Sequence, residues 1–123
     1  MVEIIYKELS YQIMGLVFNV FKDLSYGYRE KIYQRALASE FLKAKIEYKM
    51  ERPVRIIYNN RFIGKYFLDF VVENKIVLEL KIANDFYVRD IKQVFSYLKA
   101  TDLRLGILII INKNGVKFKR IVN

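Results

Sequence analysis

The sequence from Phe67 to Ile82, FLDFVVENKIVLELKI, contains two apolar, β-branched runs separated by a short polar break at Glu73-Asn74-Lys75. This pattern predicts a β-hairpin. Three charged residues interrupt the apolar runs, namely Asp69, Glu79 and Lys81. Because carboxylates are rarely buried among apolar side chains without a partner, these positions indicate either an ion pair or a functional site.

The register of the predicted hairpin decides whether the two carboxylates meet. A loop with an odd number of residues centred on Asn74 places Asp69 directly opposite Glu79, with Cβ atoms ~5 Å apart on one face. Two carboxylates at that separation repel each other unless a cation lies between them, and oxygen ligands favour a hard cation such as Mg²⁺. Lys81 shares the Glu79 face, so the spacing also permits a plain salt bridge on a solvated sheet face.

The composition limits the chemistry of the chain. Its 123 residues predict one domain, residues 1–123, and 54% hydrophobic content is enough for a core. There is no His and no Cys, which argues against zinc sites, histidine bases and cysteine nucleophiles. The longest uncharged run, Leu9 to Phe21, is shorter than the ~20 residues that span a bilayer, and no signal peptide is evident. We therefore expect a cytoplasmic protein with no membrane partner.

The net charge of +9 is unevenly distributed. Residues 67–90 carry five acidic and three basic side chains, whereas residues 27–66 and 91–123 each carry a net charge of +6. An acidic centre with basic flanks suits a metal site that a polyanion approaches, so we expect a nucleic-acid partner. Four basic residues of one predicted hairpin either follow a phosphate backbone or simply solvate an edge: Arg52, Arg55, Arg61 and Lys65.

Hydrophobic periodicity and turn residues predict the element order ααβββαββ. The first helix has a broad apolar stripe and is expected to be largely buried. Pro53 predicts an edge position, Gly64 suggests a bulge, and Asn59-Asn60 predicts a tight hairpin turn. The third helix connects two strands of one sheet as a crossover, so part of the sheet is predicted to be parallel. The predicted helices are residues 9–23, 28–45 and 88–100. After a short extended approach at residues 48–51, the five predicted strands are 54–58, 62–72, 75–82, 104–111 and 116–122.

Asp69 followed by Glu79-Leu80-Lys81 resembles the D…ExK core of the PD-(D/E)xK nuclease superfamily. Within that superfamily the chain most resembles the GxxExxY proteins, because the segment GYREKIY at residues 27–33 matches their signature. Gln93 and Tyr97 are similar to the QxxxY element of the RecB-like nuclease branch. The resemblance implies an α/β (α+β), restriction-endonuclease-like core of order αβββαβ around a mixed sheet, with an extra N-terminal helix and a C-terminal hairpin strand.

The resemblance also implies roles for individual residues. Asp69 and Glu79 would bind Mg²⁺, or Mn²⁺ as a substitute, with the main-chain carbonyl of Leu80 as a further ligand. Glu30 would complete the metal shell directly or through water. Lys81 would orient or activate the attacking water, or stabilise charge on the phosphate.

The same resemblance implies roles for two residues of the third helix, and the sequence departs from the family pattern at two positions. Gln93 would position Lys81 or the phosphate, and Tyr97 would support it at the nucleic-acid interface. Phe21 and Asp90 stand where the family commonly has histidines. These departures affect substrate or proton contacts near the site, but they leave the D…ExK residues complete.

The predicted function is therefore that of a Mg²⁺-dependent (endo)deoxyribonuclease. The alternative is a nucleic-acid-binding or protein-interaction module that kept the fold and lost turnover, and a plain structural domain with a salt-bridged hairpin is a third reading. A homodimer is a further expectation, with the Leu103–Ile111 strand and the first helix as candidate interfaces.

Overall fold

The computed structural model describes residues 4–123. Over this range it contains three α-helices and five β-strands in the predicted order. Within the same range, no helix is both long and apolar enough to cross a membrane. The helices are α1 (Lys7–Leu24), α2 (Glu30–Lys43) and α3 (Val88–Thr101), and the strands are β1 (Tyr48–Tyr58), β2 (Arg61–Val72), β3 (Ile76–Ile82), β4 (Leu105–Asn112) and β5 (Gly115–Val122).

The five strands form one mixed sheet in the order β1-β2-β3-β4-β5. Strands β3 and β4 are parallel and the other neighbours are antiparallel, so the predicted crossover through α3 is confirmed. Alternate residues of the central strands pack into two apolar cores on opposite faces, one formed with α1 and α2 and the other with α3. This arrangement agrees with the restriction-endonuclease-like fold expected from the sequence.

Strand β4 explains the apolar run near the C-terminal end of the sequence. Every residue from Leu105 to Asn112 is buried, because the strand lies between β3 and β5 and is covered on both faces. A strand in that environment needs apolar side chains on both sides. The prediction that the Leu103–Ile111 strand forms a dimer interface is therefore wrong.

Helix α1 is less buried than its apolar stripe predicts. Ile13, Met14 and Val17 are buried against the sheet, whereas Tyr11 and Phe18 are exposed. A helix on a sheet presents only one stripe to the core, and Tyr11 and Phe18, seven residues apart, lie together on another face. The broad stripe therefore divides into a core face and an exposed apolar face.

The β1–β2 hairpin extends well beyond the end of its contact with β3. Strand β2 pairs with β3 only from Phe70↔Leu78 to Val72↔Ile76, whereas its pairing with β1 continues to the turn at Asn59-Asn60. Both asparagines have positive φ, which confirms the predicted turn. A register shift beside Gly64 confirms the predicted bulge, and Pro53 lies on an edge strand as expected.

The hairpin crosses from one face of the sheet to the other at a single point. Met50 and Phe70 belong to the core beneath α1 and α2, but Val54 and Leu68, further toward the tip, belong to the core beneath α3. Glu51 lies between them with φ +50°, an uncommon conformation for a residue with a side chain. The β1–β2 register passes from Met50↔Phe70 to Arg52↔Leu68 without pairing Glu51 or Asp69, so Asp69 lies where the hairpin leaves the sheet.

We predict that Gly106→Ala destabilises the protein by about 1–3 kcal/mol, the usual cost of overpacking a core. A Cβ at Gly106 would lie 2.5 Å from Cγ1 of Val94, a buried and branched side chain of α3. Gly15→Ala is the matched control, because its Cβ meets open space on α1, and helix propensity predicts a gain of up to about 1 kcal/mol. Urea unfolding measures both changes, and equal effects would contradict the α3–β4 packing.

Candidate active site

The site is formed where β2 separates from β3. The backbone N–H of Asp69 donates to Oε1 of Glu79 over 3.0 Å, and the backbone N–H of Leu80 donates to Oδ2 of Asp69 over 2.8 Å. Each carboxyl group therefore replaces the backbone acceptor that the departing strand no longer offers. The pairing is centred on Asn74, as expected for a three-residue loop, so the structure brings the two carboxyl groups together as predicted.

Burial dominates the electrostatics of this pair. The Glu79 side chain is 3% exposed, and its burial, with the Asp69 carboxylate as the next cause, raises its pKa to about 9. Burial also raises the pKa of Asp69, although the Leu80 N–H opposes that shift. Lys81 favours the charged form of both carboxyls. Without a further cation, the pair is therefore not fully ionised at neutral pH.

Glu30 reaches the same region from the first turn of α2. Its Oε1 accepts a hydrogen bond from the backbone N–H of Ile82 over 2.9 Å, which ties α2 to the end of β3. Gly27 permits the α1–α2 connection, because its φ of +127° suits glycine alone. Glu30 and Lys81 line an open cleft of about 610 Å³, which we call the Lys81 cleft. Its other side chains include Tyr26, Tyr87, Arg89, Asp90 and Asn112.

A second cleft of about 360 Å³ opens beside Asp69, and we call it the Gln34 cleft. Gln34 is only 6% exposed, and its Oε1 is buried without a hydrogen-bond partner among the described residues. Lys31 and Glu51 form an ion pair at this cleft. The sequence analysis missed Gln34, although its position four residues after Glu30 places both residues on one face of α2.

The predicted residues of α3 lie at the edge of this arrangement. Gln93 is half-buried, and no hydrogen bond within residues 4–123 joins it to Lys81. Tyr97 is 4% exposed and packs edge-on against Tyr66, with ring centroids 5.0 Å apart. Its pKa is raised, chiefly by burial and then by Glu79 and other neighbours. A ring this buried offers no free face to a base, so its position suits a supporting role, not direct contact with nucleic acid.

The four predicted basic residues lie on the projecting β1–β2 hairpin. Arg55 and Lys65 are exposed register partners, and each places its cation over an aromatic ring. Arg61 is exposed at the tip, whereas Arg52 is half-buried opposite Leu68. The exposed positive charge of the hairpin therefore lies at a distance from the carboxyl pair, toward the hairpin tip.

A sequence profile of the PD-(D/E)XK nuclease superfamily matches residues 7–121. The chain belongs to this superfamily. The match covers all the elements that build the site, from α1 to β5. No curated protein has a matching sequence.

Two solved structures share the superfamily fold with this chain. The crystal structure of SSO0001 superposes with a TM-score of 0.62 at 19% identity, covering 96% of this chain and 57% of SSO0001. An alkaline exonuclease (LHK-Exo) from Laribacter hongkongensis gives a TM-score of 0.56 at 11% identity, covering 100% of this chain and 72% of the exonuclease. This chain thus spans little more than half the length of SSO0001. At these identities the likeness is one of fold.

The donor atoms fit a hard divalent cation, although they do not form a complete cage. No group of three carboxylates gathers at metal-binding distance within the described part of the chain. Asp69 and Glu79 do converge, and the Leu80 carbonyl projects toward the same gap, because the N–H and C=O of one strand residue point to the same side. Oxygen donors completed by water are typical of Mg²⁺ sites in proteins.

We predict that Glu79→Gln stabilises the metal-free protein increasingly as pH rises. An acid with a higher pKa when folded holds more protons in the folded state, so stability falls as pH rises from 4.5, the ordinary value, toward about 9. The glutamine side chain of the variant does not titrate, so this loss of stability is absent, and its amide oxygen can still accept a hydrogen bond from the Asp69 N–H. Thermal unfolding in EDTA from about pH 5 to about pH 9 measures the difference. Glu47→Gln, at an exposed position, is the control, and a pH-independent difference would contradict the burial of a titrating Glu79.

Proposed function

We propose that this chain is a divalent-metal-dependent nuclease that hydrolyses phosphodiester bonds in DNA. The observation that carries the proposal is the carboxyl pair at the β2–β3 separation, in which Glu79 is buried and Asp69 half-buried, with Lys81 and Glu30 lining an open cleft nearby. Superfamily membership supports the same activity. The sequence motifs further support a GxxExxY-type protein related to the RecB-like branch.

Mg²⁺, with Mn²⁺ as a substitute, is the proposed cofactor. Asp69, Glu79 and the Leu80 carbonyl would hold it. Glu30 would act through water, because its Oε1 already accepts the Ile82 N–H. When bound, such an ion lowers the pKa of water and offsets negative charge on the phosphate.

The residues of the chain then position the substrate and move protons. Lys81 shares the face of Glu79 and lines the cleft, so its ammonium can donate to a phosphate oxygen or orient the attacking water. We assign Gln93 to positioning of Lys81 or the phosphate, since an amide both donates and accepts.

The extended hairpin and the exposed face of α1 complete the proposal. Arg55, Arg61 and Lys65 would follow the phosphate backbone, with Arg52 nearer the core. A homodimer, if formed, would use α1, whose Tyr11 and Phe18 are exposed. We infer that residues 1–123 act as one catalytic domain.

We predict that wild-type protein cleaves DNA with Mg²⁺ or Mn²⁺, and that EDTA abolishes cleavage. Lys81→Ala should slow cleavage about 100-fold or more, because it removes a donor from the reacting phosphate or water. Lys75→Ala is the matched control, since it makes the same charge change at the opposite end of β3, about 20 Å away. Labelled single-stranded, duplex and branched DNA provide the assay.

The same assay separates the two functions that the sequence left open. Metal-dependent cleavage that Lys75→Ala retains and Lys81→Ala loses would establish the nuclease. Salt-sensitive binding of DNA by all three proteins without any cleavage would instead establish a binding module that kept the fold.

We also predict that Glu30→Gln lowers cleavage about 10–100-fold while the protein stays folded. The amide oxygen can still accept the Ile82 N–H, so only the charge beside the carboxyl pair is lost. Glu40→Gln, later on the same helix, is the control. Thermal unfolding and the Mg²⁺ dependence of cleavage would be measured together, and equal activity of the two variants would remove Glu30 from the site.

A further inference from the structure

The Gln34 cleft has features that the proposed chemistry does not use. It shares no lining residue with the Lys81 cleft and is lined by Lys31, Gln34, Glu51, Phe67, Leu68 and Asp69. A volume of about 360 Å³ can accommodate one nucleotide base with its sugar. The Lys31–Glu51 ion pair borders the cleft with both side chains partly exposed.

Gln34 places an unsatisfied polar group in the wall of this cleft. Its side chain is more than nine-tenths buried, yet Oε1 has no partner among the described residues. Leaving a buried amide unpaired costs free energy, and buried polar atoms in native proteins nearly always find partners. Because Oε1 itself is enclosed, a rotation of the Gln34 amide toward the cleft would bring it to a ligand, and a donor on that ligand would provide the missing partner.

Phe67 supplies an aromatic surface at the same cleft. Phe67 is 57% exposed, although the next residue in the strand, Leu68, is fully buried. Nζ of Lys65 lies 5.2 Å from the ring centroid. Exposed rings beside a lysine are suited to an unpaired base and its phosphate, because stacking and charge then act together.

We propose that the Gln34 cleft is a subsite for one unpaired nucleotide of the substrate strand, adjacent to the cleavage site. Phe67 stacks on the base, Gln34 hydrogen-bonds its polar edge or its sugar, and Lys65 contacts the neighbouring phosphate. The assignment of this nucleotide to a substrate strand rests on the proposed nuclease function. It specifies that the site takes DNA with an unpaired strand at the point of cleavage.

The test measures binding of a dye-labelled, single-stranded oligodeoxynucleotide by fluorescence anisotropy, in EDTA and at low salt. Its length of about 12 nucleotides lies within the range of small single-strand binding sites. Phe67→Ala is expected to weaken binding of the single strand about tenfold, as for the loss of one stacked base. Phe62→Ala is the matched control, because Phe62 is also exposed on β2 beneath a cation, that of Arg55. Its affinity should stay within about twofold of wild type. The two variants should bind a blunt duplex of the same sequence with nearly equal affinity.

Gln34→Leu provides an independent test. It should weaken single-strand binding about fivefold, the loss of one hydrogen bond, while the melting temperature stays equal to wild type or rises because a buried unpaired amide is gone. Loss of thermal stability with unchanged binding would show that Gln34 is structural and would overturn its role in the subsite.

Other outcomes also decide the proposal. Equal binding by Phe67→Ala and Phe62→Ala, equal losses on single strand and duplex, or no binding by wild type would overturn the subsite. Cleavage by Lys81→Ala and wild type is measured separately with Mg²⁺. If the variants bind as expected but wild type does not cleave, only the proposed nuclease function is rejected. If cleavage depends on Lys81 but Phe67→Ala does not change binding, only the subsite is rejected.

Discussion

The site depends on two hydrogen bonds between strands that have just separated. The N–H groups of Asp69 and Leu80 would lose their sheet partners where β2 leaves β3, and the carboxyls of Glu79 and Asp69 accept from them instead. The same contacts hold a buried Glu79 carboxyl group next to the half-buried carboxyl group of Asp69. A requirement of the backbone thus creates a pair of acids that a cation would stabilise.

Helix α2 contributes a lining residue to each of the two clefts. Glu30, fixed by the Ile82 N–H, faces the Lys81 cleft, and Gln34, one turn later, faces the cleft beside Asp69. Because both side chains project from one rigid helix, a displacement of α2 would move both clefts together. Tyr97 of α3 is buried, and its burial, followed by the charges of Glu79 and Asp69, raises the pKa of its hydroxyl.

Much of this arrangement could be predicted from local sequence, and the remainder depends on tertiary structure. The three-residue loop centred on Asn74 determined the register of Asp69 and Glu79, and the unbroken apolar run determined the central position of β4. The crossing of the hairpin between faces depends on a positive φ at Glu51, a residue type that gives no such signal. Gln34 was missed because its burial arises only when α2 docks on the sheet.

Pro53 and its neighbours have a consequence for the solubility of the folded chain. Strand β1 is a free edge of the sheet, and free edges can add strands from other molecules. Pro53 offers no N–H, Lys49 and Arg55 place charge along the strand, and the bulge beside Gly64 twists its outer end. The hairpin can therefore display exposed aromatic rings such as Phe67 to solvent without becoming a template for edge-to-edge aggregation.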